Sequence, residues 1–284
     1  ADVAATTPAD FVFRIMFRNN NMETQHFPPY FYGNARTVPS QNLVDAFPMK
    51  NGYPISHASS GYDPQNPYVN RDNRFDMNIY YQGRVFAQSQ APIDVVYGGK
   101  DSESFSPLAS RTGYYLRKHI SITDNMLEPT QKKQSAHYNP LLRKGEVYLA
   151  FAEASNEVWG PTTKGPNCAY SAYDVIKSIR QASGGITDTG YLDEMAANES
   201  DFRLLIQNER RLETTFENQR FFDMRRWVLP LNESIKGVVV ERDEANVLSY
   251  SVREVEQRLM NDVKHYYIPL PYGEILRNKN IVNN

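Results

Sequence analysis

The chain is poor in the residues that most chemistry needs. It has one cysteine among 284 residues, Cys168. A single thiol forms neither an intramolecular disulfide nor a multi-thiolate metal site. It sits in a Gly/Pro loop ahead of a helical pattern, where a partly buried thiol without a role is the simplest reading. The five histidines, His26, His57, His119, His137 and His265, show no metal-ligand spacing of the HExxH kind. No G-x-S-x-G elbow, P-loop or dinucleotide fingerprint occurs. His57 beside Ser56 or Ser59 is a weak nucleophile–base pattern, since loop neighbours rarely form one. No run approaches the ~20 apolar residues of a membrane helix. The 31 basic and 33 acidic residues nearly cancel, leaving a net charge of -2 and no electrostatic footprint for nucleic acid. Residues 1–10 lack a basic n-region and an apolar h-region, so they do not read as a signal peptide.

What the chain does have is rings and turns. Aromatics make up 12% of it, with 19 tyrosines, and 17 prolines punctuate it. Long ordered loops alongside helices are expected from that mixture. Phe11, Phe13, Ile15 and Phe17 alternate with Val12, Arg14, Met16 and Arg18, which predicts a strand. Ser40 is placed to cap a short helix carrying Leu43, Val44 and Phe47, with Pro48 stopping it. Phe75, Met77, Ile79 and Tyr81 alternate again, and Gln82-Gly83 resembles a hairpin loop leading into Arg84-Val85-Phe86. Tyr114 to Ile120 reads as another strand. Leu141 to Val158 is helical and apolar on most sides, so it needs several neighbours. Ala172, Val175, Ile176 and Ile179 mark a second helix, closed by Gly184-Gly185, and the two are expected to form a helical hairpin. Asn232 to Tyr250 is polar, poorly periodic and expected to be a mobile loop. Tyr266 to Pro271 reads as extended, followed by a helical turn over Gly273 to Arg277.

The densest stretch is Glu199 to Trp227. Phe202, Leu205, Ile206, Leu212 and Phe216 fall on one helical stripe, and Glu209 and Glu213 fall on it too. A carboxylate on a core-facing stripe is costly unless paired. Arg210, Arg211, Arg220, Arg225 and Arg226 lie close by in sequence, and arginine stays charged and grips carboxylates in a planar fork. The expectation is a buried ion-pair network, with Glu217 included, joining a long helix to a short one over Phe221 to Trp227. Asn218 and Gln219 form the break. The competing reading is a general acid/base pair, as in glycoside hydrolysis. Surrounding arginines lower carboxylate pKa values and remove the proton an acid needs, which favours the brace.

The same stretch resembles the C-terminal signature of the SusD/RagB family. It reads Glu209-Arg210-Arg211-Leu212-Glu213, then Phe216-Glu217, then Arg220-Phe221-Phe222-Asp223-Met224-Arg225-Arg226-Trp227. Matching segments follow the family's order: PSQNLVDAF with an NGY turn (39–53), NPYVNRDNRF (66–75), GYYLRK (from Gly113), RKGEVYLAFAEA (143–154) and YYIPLPYGEILRNKNIV (266–282). They cover nearly everything after Pro28. Asn73, Gly145 and Lys279 depart from the family pattern without touching a functional residue. The resemblance implies a mainly α fold, a SusD-like helical domain with long ordered loops and a few short strands or hairpins. Residues 1–284 are expected to form its C-terminal domain. The family's N-terminal TPR-like helical repeats and lipidated cysteine have no counterpart in this chain.

By resemblance the protein is a non-catalytic surface binder of glycan oligomers or polysaccharide at the cell outer membrane of a Gram-negative bacterium. Its implied partners are a SusC-like TonB-dependent transporter, the N-terminal half of the same protein and the oligosaccharide or polysaccharide itself. No nucleic acid and no cofactor are implied. Alternatives are a RagB-like peptide binder, a surface glycoside hydrolase using Glu209 or Glu213, or a structural lid on the transporter. A sugar binder needs flat rings for pyranose faces and polar groups for hydroxyl edges. Loop aromatics supply both: Tyr30 and Tyr32 beside Asn34 and Arg36, Tyr62 beside Asp63, and Tyr97 beside Asp101. Any one of these rings could instead plug the surface of the core. The acidic run around Asp101 and Glu103 makes calcium conceivable, although EF-hand spacing is absent.

Overall fold

The computed structural model describes residues 9–15, 21–87, 90–123, 125–130, 133, 135, 137, 140–267, 269–278 and 280–281. In chain order its elements are β1 (Phe11–Arg14), α1 (Met22–His26), α2 (Gln41–Ala46), α3 (Asn73–Asn78), β2 (Ile79–Tyr80), β3 (Tyr115–Leu116), β4 (Pro140–Arg143) and α4 (Lys144–Trp159). Then follow α5 (Ala172–Ala182), α6 (Gly190–Met195), α7 (Glu199–Glu213), α8 (Gln219–Arg226), β5 (Ile235–Arg242), β6 (Leu248–Glu256) and α9 (Tyr272–Arg277). The fold is mainly helical, with three two-stranded antiparallel ribbons among the described residues.

The helical part forms because its stripes and caps agree. Ser171 Oγ accepts from the Asp174 N–H, and the Asp174 carboxylate accepts from the Ser171 N–H, closing a capping box on α5. The Asn198 side chain accepts from the Asp201 N–H at the start of α7. Leu149 and Ala152 of α4, Val175, Ile176 and Ile179 of α5, and Phe202, Leu205 and Ile206 of α7 then bury one another in a first apolar cluster. A second cluster is built from loops, α2, α3, β2 and β3, with Phe27, Phe47, Phe75, Tyr80, Phe86, Tyr114 and Tyr115 at its centre. Leu212 belongs to this second cluster, so α7 enters one core with its first half and the other with its last turn. The helix predicted around Ser40 is α2; the Ser40 hydroxyl accepts from the Leu43 N–H, and Val44 and Phe47 are buried.

Three sequence expectations are corrected. The alternation of Phe75, Met77, Ile79 and Tyr81 is not one strand. Asp72 caps a helix by accepting from the Arg74 N–H at 2.8 Å. Phe75 and Ile79, four apart, are buried while Met77 is exposed, so the helical period governs there. Only Ile79–Tyr80 is extended, and it pairs with Tyr115–Leu116 rather than with residues 84–86. The turn at Gln82-Gly83 exists, closed by Arg84 N–H donating to Tyr81 O. The strand expected over Tyr114 to Ile120 shrinks accordingly to two residues.

The second correction concerns Asn232 to Tyr250. It is mostly the regular β5–β6 hairpin, paired from Ile235↔Glu256 to Arg242↔Leu248. Val238 and Val240 are buried in the second cluster, Val239 between them is half-buried, and Glu241 and Arg242 beyond are exposed. Gly113, at φ +77, lets the backbone pass so close to Val238 that a Cβ would meet its carbonyl oxygen at 2.7 Å. The polar outer face hides this one-sided burial from a sequence reading. Third, Tyr266 closes a 3-10 turn over Val263–Tyr266 and is not extended, whereas the helical turn beyond it is α9. The predicted N-terminal strand is β1, paired with β4; Met16 to Arg18 lie outside the described residues.

Candidate functional site

The carboxylates of α7 are held by arginines, but largely not by those nearest in sequence. Glu209 is fully buried. Its Oε2 accepts from Arg74 at 2.8 Å and its Oε1 from Arg180 at 2.7 Å. Arg74 also grips Asp72, at 2.6 Å. Burial opposes the charge on Arg74, yet Glu209 and Asp72 outweigh it and hold its pKa above the ordinary arginine value. Glu213 makes longer contacts, 3.4 Å to Arg143 and 3.5 Å to Arg74. Glu217 accepts from Arg143 at 2.9 Å and from Lys118 at 2.6 Å. Arg210 reaches Asp223 of α8 at 2.9 Å, and Arg226 meets that same Asp223 and Glu153 of α4.

The brace therefore ties α3, α4, α5, α7 and α8 together, but its membership differs from the sequence expectation. Arg211, Arg220 and Arg225 have no carboxylate within 4.0 Å among the described residues. Arg211 donates to Asn42 O, and Arg225 lies 3.6 Å over the Phe221 ring. Arg74, Arg180 and Arg143 take their place. These lie far away along the chain, and nothing in the local pattern marks them as partners. Glu209 is fully buried with an arginine on each oxygen, so no substrate can reach it for general-acid chemistry.

The aromatic candidates divide. Tyr30 ends up 47% exposed on a turn opened by Pro29, and Tyr32 follows at φ 70. Lys100 brings the 97–101 loop to them: its Nζ stands 4.6 Å over the Tyr30 ring and 4.5 Å over Phe31, within cation–π range. Tyr97 is 82% exposed, the most of any tyrosine described. Asn34 donates to Thr24 O, which commits its amide to the loop, while Arg36 is exposed. Asp101 is a correction. It is fully buried, held by Lys100 at 2.8 Å and by the Asp94 N–H at 2.9 Å, and cannot reach a sugar edge. Glu103 is likewise committed, to Arg253. Tyr62 lies apart, half-buried with the Arg71 guanidinium 5.7 Å from its ring.

A different set of rings forms a cleft. Tyr68, Tyr81 and Tyr250 are half-buried around an open hollow of about 660 Å³, edged by Asn66, Gln82, Arg84 and Arg117. The Tyr68 ring stands 4.2 Å from Tyr81 and 5.5 Å from Tyr250 between centroids. Phe75 backs Tyr81 in a 5.1 Å stack. The Tyr81 hydroxyl donates to Asp76 at 2.8 Å, and Arg84 donates to the same carboxylate oxygen. Burial raises the Tyr81 pKa, so the phenol stays protonated and able to donate. The sequence reading noted Tyr68 on its loop but took Tyr81 as part of a strand and Tyr250 as part of a mobile loop. Val240↔Tyr250 pairing is what delivers Tyr250 to the cleft.

This geometry can be set beside known proteins. The model of the SusD family matches residues 10–284. The SusD-like protein P2 of Formosa agariphila is 27% identical over 192 residues, which are 66% of this chain and 33% of that protein. A crystal structure of a SusD-like protein from Bacteroides fragilis superposes with a TM-score of 0.75 at 26% identity, over 97% of this chain and 54% of that one. A SusD-like carbohydrate-binding protein from the same species gives a TM-score of 0.66 at 21% identity, over 94% of this chain and 54% of that one. The chain thus spans about half the length of these solved structures. A family match over almost the whole sequence, with the helical scaffold to go with it, is decisive: the chain belongs to the SusD family.

Proposed function

We propose that this chain is a non-catalytic glycan binder and that the Tyr68, Tyr81 and Tyr250 cleft is its ligand surface. The carrying observation is the cleft itself: the Tyr68 ring in contact with both Tyr81 and Tyr250, rimmed by amide and guanidinium groups. Rings take the apolar pyranose faces, and Asn66, Arg84 and Arg117 at the edge meet hydroxyls. The open, shallow form suits a chain of sugars passing through. Tyr30, Tyr32, Tyr97 and Lys100 form a second exposed platform for the same polymer. Family membership supports the reading, as does the carbohydrate-binding relative. On it, the protein presents captured glycan at the outer-membrane surface to a SusC-like TonB-dependent transporter. No helix among the described residues is long and apolar enough to cross a membrane.

Calorimetric titration against a panel of neutral polysaccharides, acidic polysaccharides and peptides tests this. The expected result is saturable glycan binding that is lost in a Tyr81→Ala/Tyr250→Ala double variant with an unchanged melting temperature. Binding of peptides alone overturns the glycan assignment. Release of reducing sugar from any bound glycan overturns the non-catalytic one.

A further inference from the structure

Arg211, Arg220 and Arg258 surround a pocket of about 520 Å³ between α2, the α7–α8 turn and the base of β5. This volume suits a small ligand or one to two sugar units. Elsewhere on α7 and α8, Arg203 is spent on Glu157 and Glu199, Arg210 on Asp223, and Arg226 on Asp223 and Glu153, while Arg225 lies over the Phe221 ring. The three at the pocket are not so spent. Among the described residues, no carboxylate lies within 4.0 Å of any of the three. One acidic residue, Glu233, sits on the rim, and its Oε1 accepts from the Asn42 amide at 2.8 Å instead. Three guanidiniums face one carboxylate, and that carboxylate is turned to a neutral donor.

Gathering cations in a partly buried pocket is unfavourable, and Arg211 shows it. Burial first, and then the charge of Arg220, push its pKa down to about 10. Burial lowers Arg220 too, outweighing the charges of Asp223 and Glu233, with Arg258 adding a little. The pocket wall is also apolar in part: Phe216, Phe221 and Phe222 line it, the last two 47% and 57% exposed, with ring centroids 5.2 Å apart. A ligand that satisfies both features carries an oxyanion for the guanidinium forks and a flat apolar face for the phenyl rings.

We propose that this pocket binds the carboxylate-bearing ring of an acidic glycan, a uronic acid residue, with its carboxylate between Arg211, Arg220 and Arg258 and its ring face on Phe222, the perpendicular Phe221 ring walling one side. The pocket is distinct from the tyrosine cleft, and no residue lines both. The inference rests on the reading of the chain as a glycan binder, and it selects the charge class of the glycan. The small volume favours a sugar over a polypeptide segment, which would need a longer groove.

The test titrates the protein with oligogalacturonate and with its fully methyl-esterified form, which keeps the sugar and removes the charge. A neutral polysaccharide that binds the tyrosine cleft and a poly-glutamate of matched length are run beside them. We expect the acid to bind at least about tenfold more tightly than the ester, and added salt to weaken it. Arg220→Gln and Arg258→Gln should each remove about that factor, while neutral polysaccharide binds both variants as before. Equal binding of acid and ester overturns the inference and leaves the glycan reading standing if the neutral polymer binds. Poly-glutamate binding as tightly as oligogalacturonate overturns the sugar assignment. If no glycan binds, neutral or acidic, both readings fall. A melting temperature unchanged in the arginine variants shows that lost affinity is not lost fold.

Discussion

Glu209 Oε2 accepts a hydrogen bond from the Arg74 guanidinium at 2.8 Å, joining residues 135 positions apart. Arg180 completes the clamp from the other side at 2.7 Å, and all three side chains are at most 4% exposed. This contact fixes α3 and α5 against α7, where the two apolar clusters meet. Removing one partner of such a pair leaves uncompensated charge in the core. Glu209→Ala should therefore cost about 3–5 kcal/mol in chemical denaturation. Glu209→Gln should cost less, since the amide keeps the shape and one acceptor. A Glu209→Ala unfolding midpoint equal to wild type would show that solvent reaches the clamp.

Glu213 should matter less than Glu209. The sequence stripe treats the two alike, but Glu213 is 11% exposed and its contacts are 3.4 Å and 3.5 Å. We expect Glu213→Ala to destabilise by about half as much as Glu209→Ala or less. Parallel denaturation of the two variants measures the difference directly. A larger loss for Glu213→Ala would reverse the ranking drawn from the geometry.

The two aromatic surfaces make separable predictions. Each tyrosine of the cleft should contribute about 0.5–1.5 kcal/mol of stacking beyond area burial, so Tyr250→Ala should weaken glycan binding several-fold. A quadruple alanine variant at Tyr30, Tyr32, Tyr62 and Tyr97 should weaken long polymers more than short oligomers, because it strips the Tyr30, Tyr32 and Tyr97 platform as well as the separate Tyr62 ring. Should short oligomers bind the quadruple variant no better than buffer, the exposed tyrosines are the primary site and the cleft is not.

Stability should fall in mild acid. Burial lowers the pKa of His119 well below 6.5, with Lys118 adding to the effect, and burial also lowers that of His26. The unfolded chain takes up these protons as pH drops through about 6.5, and the folded chain does not. Each histidine therefore contributes stability that is present above pH ~6.5 and is lost towards the depressed folded-state pKa. The limiting slope is about 1.4 kcal/mol per pH unit per group. Denaturant midpoints measured from pH 7.5 down to 5 check this, and His119→Gln should flatten the dependence. A profile as steep in the variant as in wild type would remove His119 from the account.

The 284-residue chain by itself should present sticky surface. Val147, Tyr148 and Val158 of α4 are 49%, 53% and 67% exposed, and Phe13 and Leu141 of the neighbouring ribbon are 62% and 48% exposed. Exposed apolar side chains gathered on one helix and its neighbouring ribbon favour an interaction face. We expect binding of an apolar dye and self-association in light scattering, both reduced by Val147→Asp/Val158→Asp. A monodisperse monomer that binds no dye would argue that this face is wetter than its composition implies.

Local order was largely legible in the sequence. The helical period of Leu141 to Val158, of Ala172 to Ile179 and of Phe202 to Leu212 predicts α4, α5 and α7, because burial of one stripe enforces the period it requires, although Leu141 to Arg143 belong to β4 and the helix starts at Lys144. Ser40 predicts the cap of α2, since capping is a contact between residues three apart. The family signature around Glu209 to Trp227 fixed the fold class as well. Long-range partners were not legible. A carboxylate on a core-facing stripe demands a cation, but sequence proximity nominated Arg211, Arg220 and Arg225. Chain topology instead delivered Arg74, Arg180 and Arg143.

The site divides in the same way. Composition and turn residues placed aromatics on loops and named Tyr30, Tyr32, Tyr62 and Tyr97 as outward-facing; exposure agrees for all but Tyr62, which is half-buried. They could not foresee that Asp101 is turned inward onto Lys100, or that Tyr250 rides a hairpin into contact with Tyr68. The sequence by itself determined the long helices α4, α5 and α7, that paired charge lies within the core, and which family the chain belongs to; these follow from short-range periodicity and residue chemistry. Only the tertiary structure decided which cation meets which carboxylate, which tyrosines share a cleft and which arginines are left over. Those outcomes depend on side chains brought together from distant parts of the chain, and no local pattern encodes their distances.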